Sequence, residues 1–149
     1  MAAPQQQQID LNSLTIDNLA AVKKQLDDEI EHLMGASTKL KKAQDRFREY
    51  INAVKAGIKP ETSDKPLLIP LTTSLFVPAK LSDPEHVLVD VGTGYFVEKT
   101  APEAVKFYTA KIKTIETNMA DIQKVMTQKL QNVRVVESVI VQKQTQGGQ

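Results

Sequence analysis

The sequence predicts an α+β chain: a long antiparallel two-helix coiled coil with two tandem β-hairpins at its base. Three observations predict it. Apolar residues recur every seven positions along two long segments. Between those segments lies the only β-rich stretch of the chain. The strands of that stretch are apolar on both faces, and the chain offers no second sheet to cover them.

The first helix is expected over residues 15–57. Thr15-Ile16-Asp17 leading into Leu19 is its best start, because a short oxygen side chain satisfies the free N–H groups of a first turn. Asp10 and Ser13 are rival caps. Leu19, Leu26, Leu33, Leu40, Phe47 and Val54 follow at intervals of seven, and Val22, Ile30, Ala36, Ala43 and Ile51 fill the intervening sites less regularly. That spacing, sustained over several heptads, marks a coiled coil. The helix would run about 60 Å at 1.5 Å per residue. Gly35 is its one interior glycine, a weak point of about 1 kcal/mol relative to alanine. Gly57 and Pro60 end it, and a polar linker follows.

The β-rich stretch divides into hairpins over residues 67–81 and 87–99. Val, Ile, Phe and Tyr dominate its short apolar runs, which suits a pleated surface. Thr72-Thr73-Ser74 and Gly92-Thr93-Gly94 are short enough to close the hairpins, and the glycines tolerate positive φ. A two-stranded hairpin is marginal alone in water. Val87, Val89 and Val91 make one face of a strand apolar and Leu88 the other. Pro70 and Pro78 restrict their strands to edges or bulges. The hairpins are therefore expected to pair with hairpins of other chains, making the protein an obligate oligomer. The expected assembly residues are Leu67, Ile69, Leu71, Leu75, Val77, Val87, Val89, Val91, Tyr95 and Val97.

The second helix is expected over residues 101–141, with Thr100 as N-cap, Glu103 in capping-box position and Pro102 in the first turn. Its heptads run Val105, Ile112, Met119, Met126, Val133 and Ile140, alternating with Tyr108, Ile115, Ile122, Lys129 and Val136. Residues 1–14 are expected to be a disordered Pro/Gln-rich leader and residues 142–149 a flexible tail. Folding the helices back antiparallel pairs Val54 with Val105, Phe47 with Ile112, Leu40 with Met119, Leu33 with Met126, Leu26 with Val133 and Leu19 with Ile140. Asp17, Asp27, Asp28, Glu29 and Glu31 then lie alongside Lys124, Lys129, Arg134 and Lys143, so charge selects the same orientation. On this register Ser37 faces Ile122, Gln44 faces Ile115 and Lys129 approaches Ile30, which predicts a seam that loosens toward the open end.

Composition narrows the function. Nineteen basic against eighteen acidic side chains disfavours a dedicated nucleic-acid binder. Cysteine is absent, so disulfides and thiolate metal sites are excluded, as suits a reducing compartment. MAAPQQQQ lacks the basic and apolar regions of a secretory signal, and no stretch is long enough to span a bilayer. The expectation is a cytoplasmic protein with no membrane partner, a nuclear fraction being left open. Gly92-Thr93-Gly94 lacks the further glycine and lysine of a phosphate loop, and a strand follows it. His32 and His86 share no ligand spacing, and no Ser/His/Asp arrangement is legible. No catalytic, cofactor-binding or metal-binding residue is expected, so the chain is not read as an enzyme. The basic run Lys39, Lys41, Lys42, Arg46 and Arg48 reads as a solvated helix face.

The wording of the hairpins is specific. Pro70-Leu71-Thr72-Thr73-Ser74-Leu75-Phe76-Val77-Pro78 and Val87-Leu88-Val89-Asp90-Val91-Gly92-Thr93-Gly94-Tyr95-Phe96-Val97-Glu98-Lys99, set between two heptad helices, resemble the α-type subunits of prefoldin. The resemblance covers nearly the whole chain. Ala79 departs from it, standing where the family segment reads Val-Pro-Gly-Lys-Leu. The resemblance implies a heterohexamer with one other α-type and four β-type subunits. Its hairpins would form an intersubunit β-barrel from which the coiled coils hang. It also implies an ATP-independent holdase that captures unfolded actin and tubulin and passes them to the cytosolic group II chaperonin. Client contact would fall at the open end of the coiled coil, on Leu14, Ile16, Leu19, Val22, Val133, Val136 and Ile140. The competing reading is a structural tether that spaces partners without binding clients. A nucleic-acid-binding arm is disfavoured by the charge balance.

Overall fold

Thr15 starts the first helix. Its hydroxyl accepts the Asn18 amide at 3.3 Å and its carbonyl the Leu19 amide at 3.0 Å. The computed structural model describes residues 11–146. Helix α1 spans Ile16–Gly57, strands β1 Pro66–Pro70, β2 Phe76–Lys80, β3 His86–Gly92 and β4 Tyr95–Thr100, and helix α2 Ala101–Gln146. Single 3-10 turns cover Leu11–Ser13 and Pro60–Thr62.

Each hairpin is its own two-stranded antiparallel sheet. In the first, Leu68 pairs with Pro78 and Ile69 with Val77. Proline is tolerated here because both strands of a two-stranded ribbon are edges. Ala79 sits opposite Leu67 as an ordinary strand residue, so the departure from glycine falls where no turn is made. In the second hairpin Val89 pairs with Val97 and Asp90 with Phe96; the register then slips so that Gly92 meets Tyr95 and Val91 bulges. Gly92, Thr93 and Gly94 all take positive φ (125°, 52° and 78°), a conformation that costs glycine little. Thr93 is β-branched and strained there.

The chain forms two compact units. One comprises the segments up to Lys39 and from Asn118; the other is Leu40–Thr117. In the first unit, Leu19, Val136 and Val139 form a buried cluster with Leu11, Leu14, Val22, Leu26 and Ile140 packed around it. Lys23 bridges Glu137 at 2.8 Å, and Lys129 bonds Glu29. In the second unit, Gln44 donates to Glu116 at 2.9 Å and Phe47 stacks against Tyr108 with centroids 5.7 Å apart. These pairs run antiparallel in the register expected from the heptads. A one-heptad slip would separate each by about 10 Å.

Two boundaries differ from expectation by more than one residue. Helix α2 continues past Val141 to Gln146. Gln, Lys and Thr there carry no helix breaker, and Lys143 donates to the Leu14 carbonyl. Leu11–Ser13 form a helical turn rather than part of a leader, because Leu11 and Leu14 have apolar partners in the buried cluster. Residues 1–10 and 147–149 lie outside the described residues.

The seam is also tighter than expected. Its second layer keeps strict seven-residue spacing through Ile30, Ser37, Gln44 and Ile51, all buried or half-buried. Gln44 is 4% exposed, yet its amide is satisfied by Lys41 and Glu116. Lys129 likewise turns its ammonium to Glu29 rather than to Ile30. Glu29 is held below the usual carboxylate range by its bonds to Lys129 and Gln25.

Candidate assembly and binding surfaces

Opposite residues of an antiparallel ribbon share a face. In the first hairpin one face therefore carries Leu68 and Phe76 and the other Ile69 and Val77, and all four are exposed. In the second, Leu88 is 70% exposed and Phe96 lies on the same face, while Val97 lies on the opposite one. Val89 alone is buried, at 1%. Of the expected assembly residues, Leu67 and Val87 are half-buried, and Ile69, Leu71, Leu75, Val77, Val91, Tyr95 and Val97 are exposed. Leu68, Phe76, Leu88 and Phe96 extend the apolar surface beyond the expected assembly set. Isolated exposed apolar residues are ordinary; a ribbon apolar on both faces, as the first hairpin is, marks a binding surface.

The face of the second hairpin that carries Leu88 and Phe96 adjoins an open hollow of about 500 Å³, whose lining also includes Phe47, Tyr50, Phe107 and Tyr108. Burial raises the Tyr108 phenol above its ordinary range, and the charges of Tyr50 and Asp90 add to the effect. Lys111 lies over the Phe107 ring, 5.4 Å from its centroid.

Of the seven residues expected to contact clients, Leu14, Leu19, Val22, Val136 and Ile140 pack into one closed cluster. Leu19, Val133 and Val136 are buried, and Leu14, Val22 and Ile140 are half-buried. Only Ile16 stands exposed. The expectation of free apolar stripes is corrected accordingly. Val139 explains why: it lies outside the heptad positions, yet it fills the space beside Leu19 and Val136. Leu11 caps the cluster from the preceding turn.

Among the described residues, one cluster brings chemistry-bearing groups together. Asp83, His86 and Glu98 bring carboxylate and imidazole atoms within 4.8 Å of one another. Spacing along the chain hides this group, because the β3–β4 register sets Glu98 diagonally across from His86. Asp83 is held low chiefly by the Glu85 amide that its carboxylate accepts. His86 is held high chiefly by its bond to Asp83.

Comparison with known proteins places this architecture. The prefoldin subunit family model matches residues 6–146. "Probable prefoldin subunit 5" of Schizosaccharomyces pombe is 38% identical, over 92% of this chain and 90% of its own length. "Prefoldin subunit 5" of Homo sapiens is 39% identical, over 92% and 88%. A prefoldin chain from the cryo-EM structure of filamentous prefoldin of Methanocaldococcus jannaschii superposes with a TM-score of 0.68. The match covers 80% of this chain and 97% of that one at 21% identity, and so bears on the fold alone. Two heptad helices, two separate two-stranded hairpins and these matches lead to one conclusion: the chain belongs to the prefoldin subunit family, whose members are non-enzymatic chaperone components.

Proposed function

We propose that this chain is an α-type subunit of a cytoplasmic heterohexameric prefoldin, with one other α-type and four β-type siblings. The complex captures unfolded clients such as actin and tubulin without nucleotide and delivers them to the group II chaperonin. The observation that carries the assembly reading is the large apolar surface that the two hairpins expose, the first on both of its faces, with Leu88 and Tyr95 of the second 70% and 72% exposed. Covering a large apolar side chain contributes about 1.5–3 kcal/mol, so exposure on this scale favours association strongly.

Client contact is assigned to Leu14, Ile16, Leu19, Val22, Val133, Val136 and Ile140. Because most of these are packed together, contact requires the helix ends to part and offer them. Helix ends are the segments that open at lowest free energy. Several subunits acting together convert weak contacts into useful avidity.

The closed cluster also favours a second reading, a coiled-coil tether that binds no client. An aggregation-suppression assay separates the two, using the assembled complex, a denatured client and no nucleotide. The client reading predicts that wild-type complex suppresses aggregation and that Ile16→Ser with Ile140→Ser weakens it while native mass is unchanged. Suppression equal in wild type and variant sinks the site assignment; no suppression by wild type supports the tether.

A further inference from the structure

The joint between the two hairpins is built around one histidine. Asp83 Oδ1 accepts the amides of Glu85 (2.9 Å) and His86 (3.2 Å), closing the turn that leads into β3. Its Oδ2 accepts from His86 Nδ1 at 2.9 Å. An ionised carboxylate only accepts, so Nδ1 carries hydrogen in both ring forms and titration occurs at Nε2. The same spot closes the far end of the hairpin. His86 pairs with Thr100, and the Glu85 carbonyl accepts the Ala101 amide at 3.2 Å. Thr100 and Glu103 then cap α2 reciprocally, at 3.0 and 3.4 Å.

The charges around His86 are nearly all negative. Asp83 faces it from the turn, Glu85 from the adjoining residue and Glu98 from β4. Glu103 of α2 feels the charge of His86 and also that of Lys99 on β4.

We propose that this joint is a proton-responsive tie. Protonation of His86 draws together the inter-hairpin turn, the ends of β3 and β4 and the start of α2, so mild acidification firms the seating of the second hairpin. Its effect on assembly rests on the reading above that the hairpins join sibling chains.

The direction follows from linkage. His86 is raised above its ordinary 6.5, so its contribution is complete below about that pH and fades as pH rises through the raised value. Asp83 and Glu103 are lowered from 3.8 and 4.5, so their contributions hold above those values and fade as pH falls through the lowered ones. The tie therefore works best in the mildly acidic window between.

The test uses the assembled complex with only this chain's histidines labelled with carbon-13. The chain has two, so His32→Gln leaves a single imidazole signal. Asp83→Asn keeps an oxygen for the two amides and removes the charge. The tie predicts that Asp83→Asn lowers the His86 titration midpoint. It also predicts that the variant's loss in thermal midpoint is larger near pH 6 than near pH 8, the range in which histidine switches. Should Asp83→Asn fail to assemble, Glu98→Gln on exposed β4 is expected to lower the same midpoint. A midpoint unmoved by either substitution, or a thermal loss equal at both pH values, overturns the tie. Failure of the wild-type complex to form would instead refute the assembly reading, which native mass reports separately.

Discussion

Leu19 has no exposed surface, and it packs with Val136 and Val139 at the meeting point of the α1 and α2 ends. Leu19→Ala removes the largest side chain of that cluster. Buried Leu→Ala substitutions cost about 2–5 kcal/mol, depending on how far the site collapses. With only two helices to move, collapse is easy here, so the expected cost is at the low end, about 2–3 kcal/mol. Each 1.4 kcal/mol is a factor of ten, so local opening should become about 30–150 times more frequent. Amide hydrogen exchange on the assembled complex reads this directly. Exchange should accelerate over the first turns of α1 and the last turns of α2. It should stay unchanged in α1 beyond Leu40, which belongs to the other compact unit. Acceleration of less than about threefold, below the low end of that cost range, would show that the cluster does not hold the helix ends together.

Three further outcomes are expected. Val91 bulges from β3 and is 42% exposed, so Val91→Asp should leave the chain helical by circular dichroism yet block recovery of the complex on native mass spectrometry. Gly35 lies mid-helix with nothing within 4 Å of an added Cβ. Gly35→Ala should therefore stabilise by about 0.5–1 kcal/mol, seen as a higher denaturant midpoint. Thr100→Ala removes the hydroxyl that accepts the Glu103 amide, and it should cost about 1 kcal/mol in thermal unfolding.

The elements and their partnering were legible in the sequence for physical reasons. Heptad spacing is a periodic signal, so it located α1, α2 and their register without knowledge of contacts. The hairpins were legible because short β-branched and aromatic runs alternate with turn residues, and glycines flank Thr93 in the β3–β4 turn, which needs positive φ. What the sequence concealed were features set by contacts across the fold. Val139 lies off the heptad positions, and only the meeting of two helix ends makes it part of a core. Gln44 looked like a flaw in the seam until Glu116 and Lys41 were seen to satisfy its amide. His86 had no ligand-like spacing, because strand pairing rather than sequence distance brings Glu98 beside it. Leu68 and Leu88 fall between the alternate strand positions that make up the expected assembly set, yet both stand exposed.

The central claim is that this chain leaves its hairpins for sibling chains to cover. Native mass spectrometry of the chain recovered from its own cells tests this most directly. The account predicts a single assembly in which the 16.5 kDa chain sits among other prefoldin subunits. Recovery as a folded 16.5 kDa monomer, with the outer faces of its hairpins already protected from exchange, would contradict it.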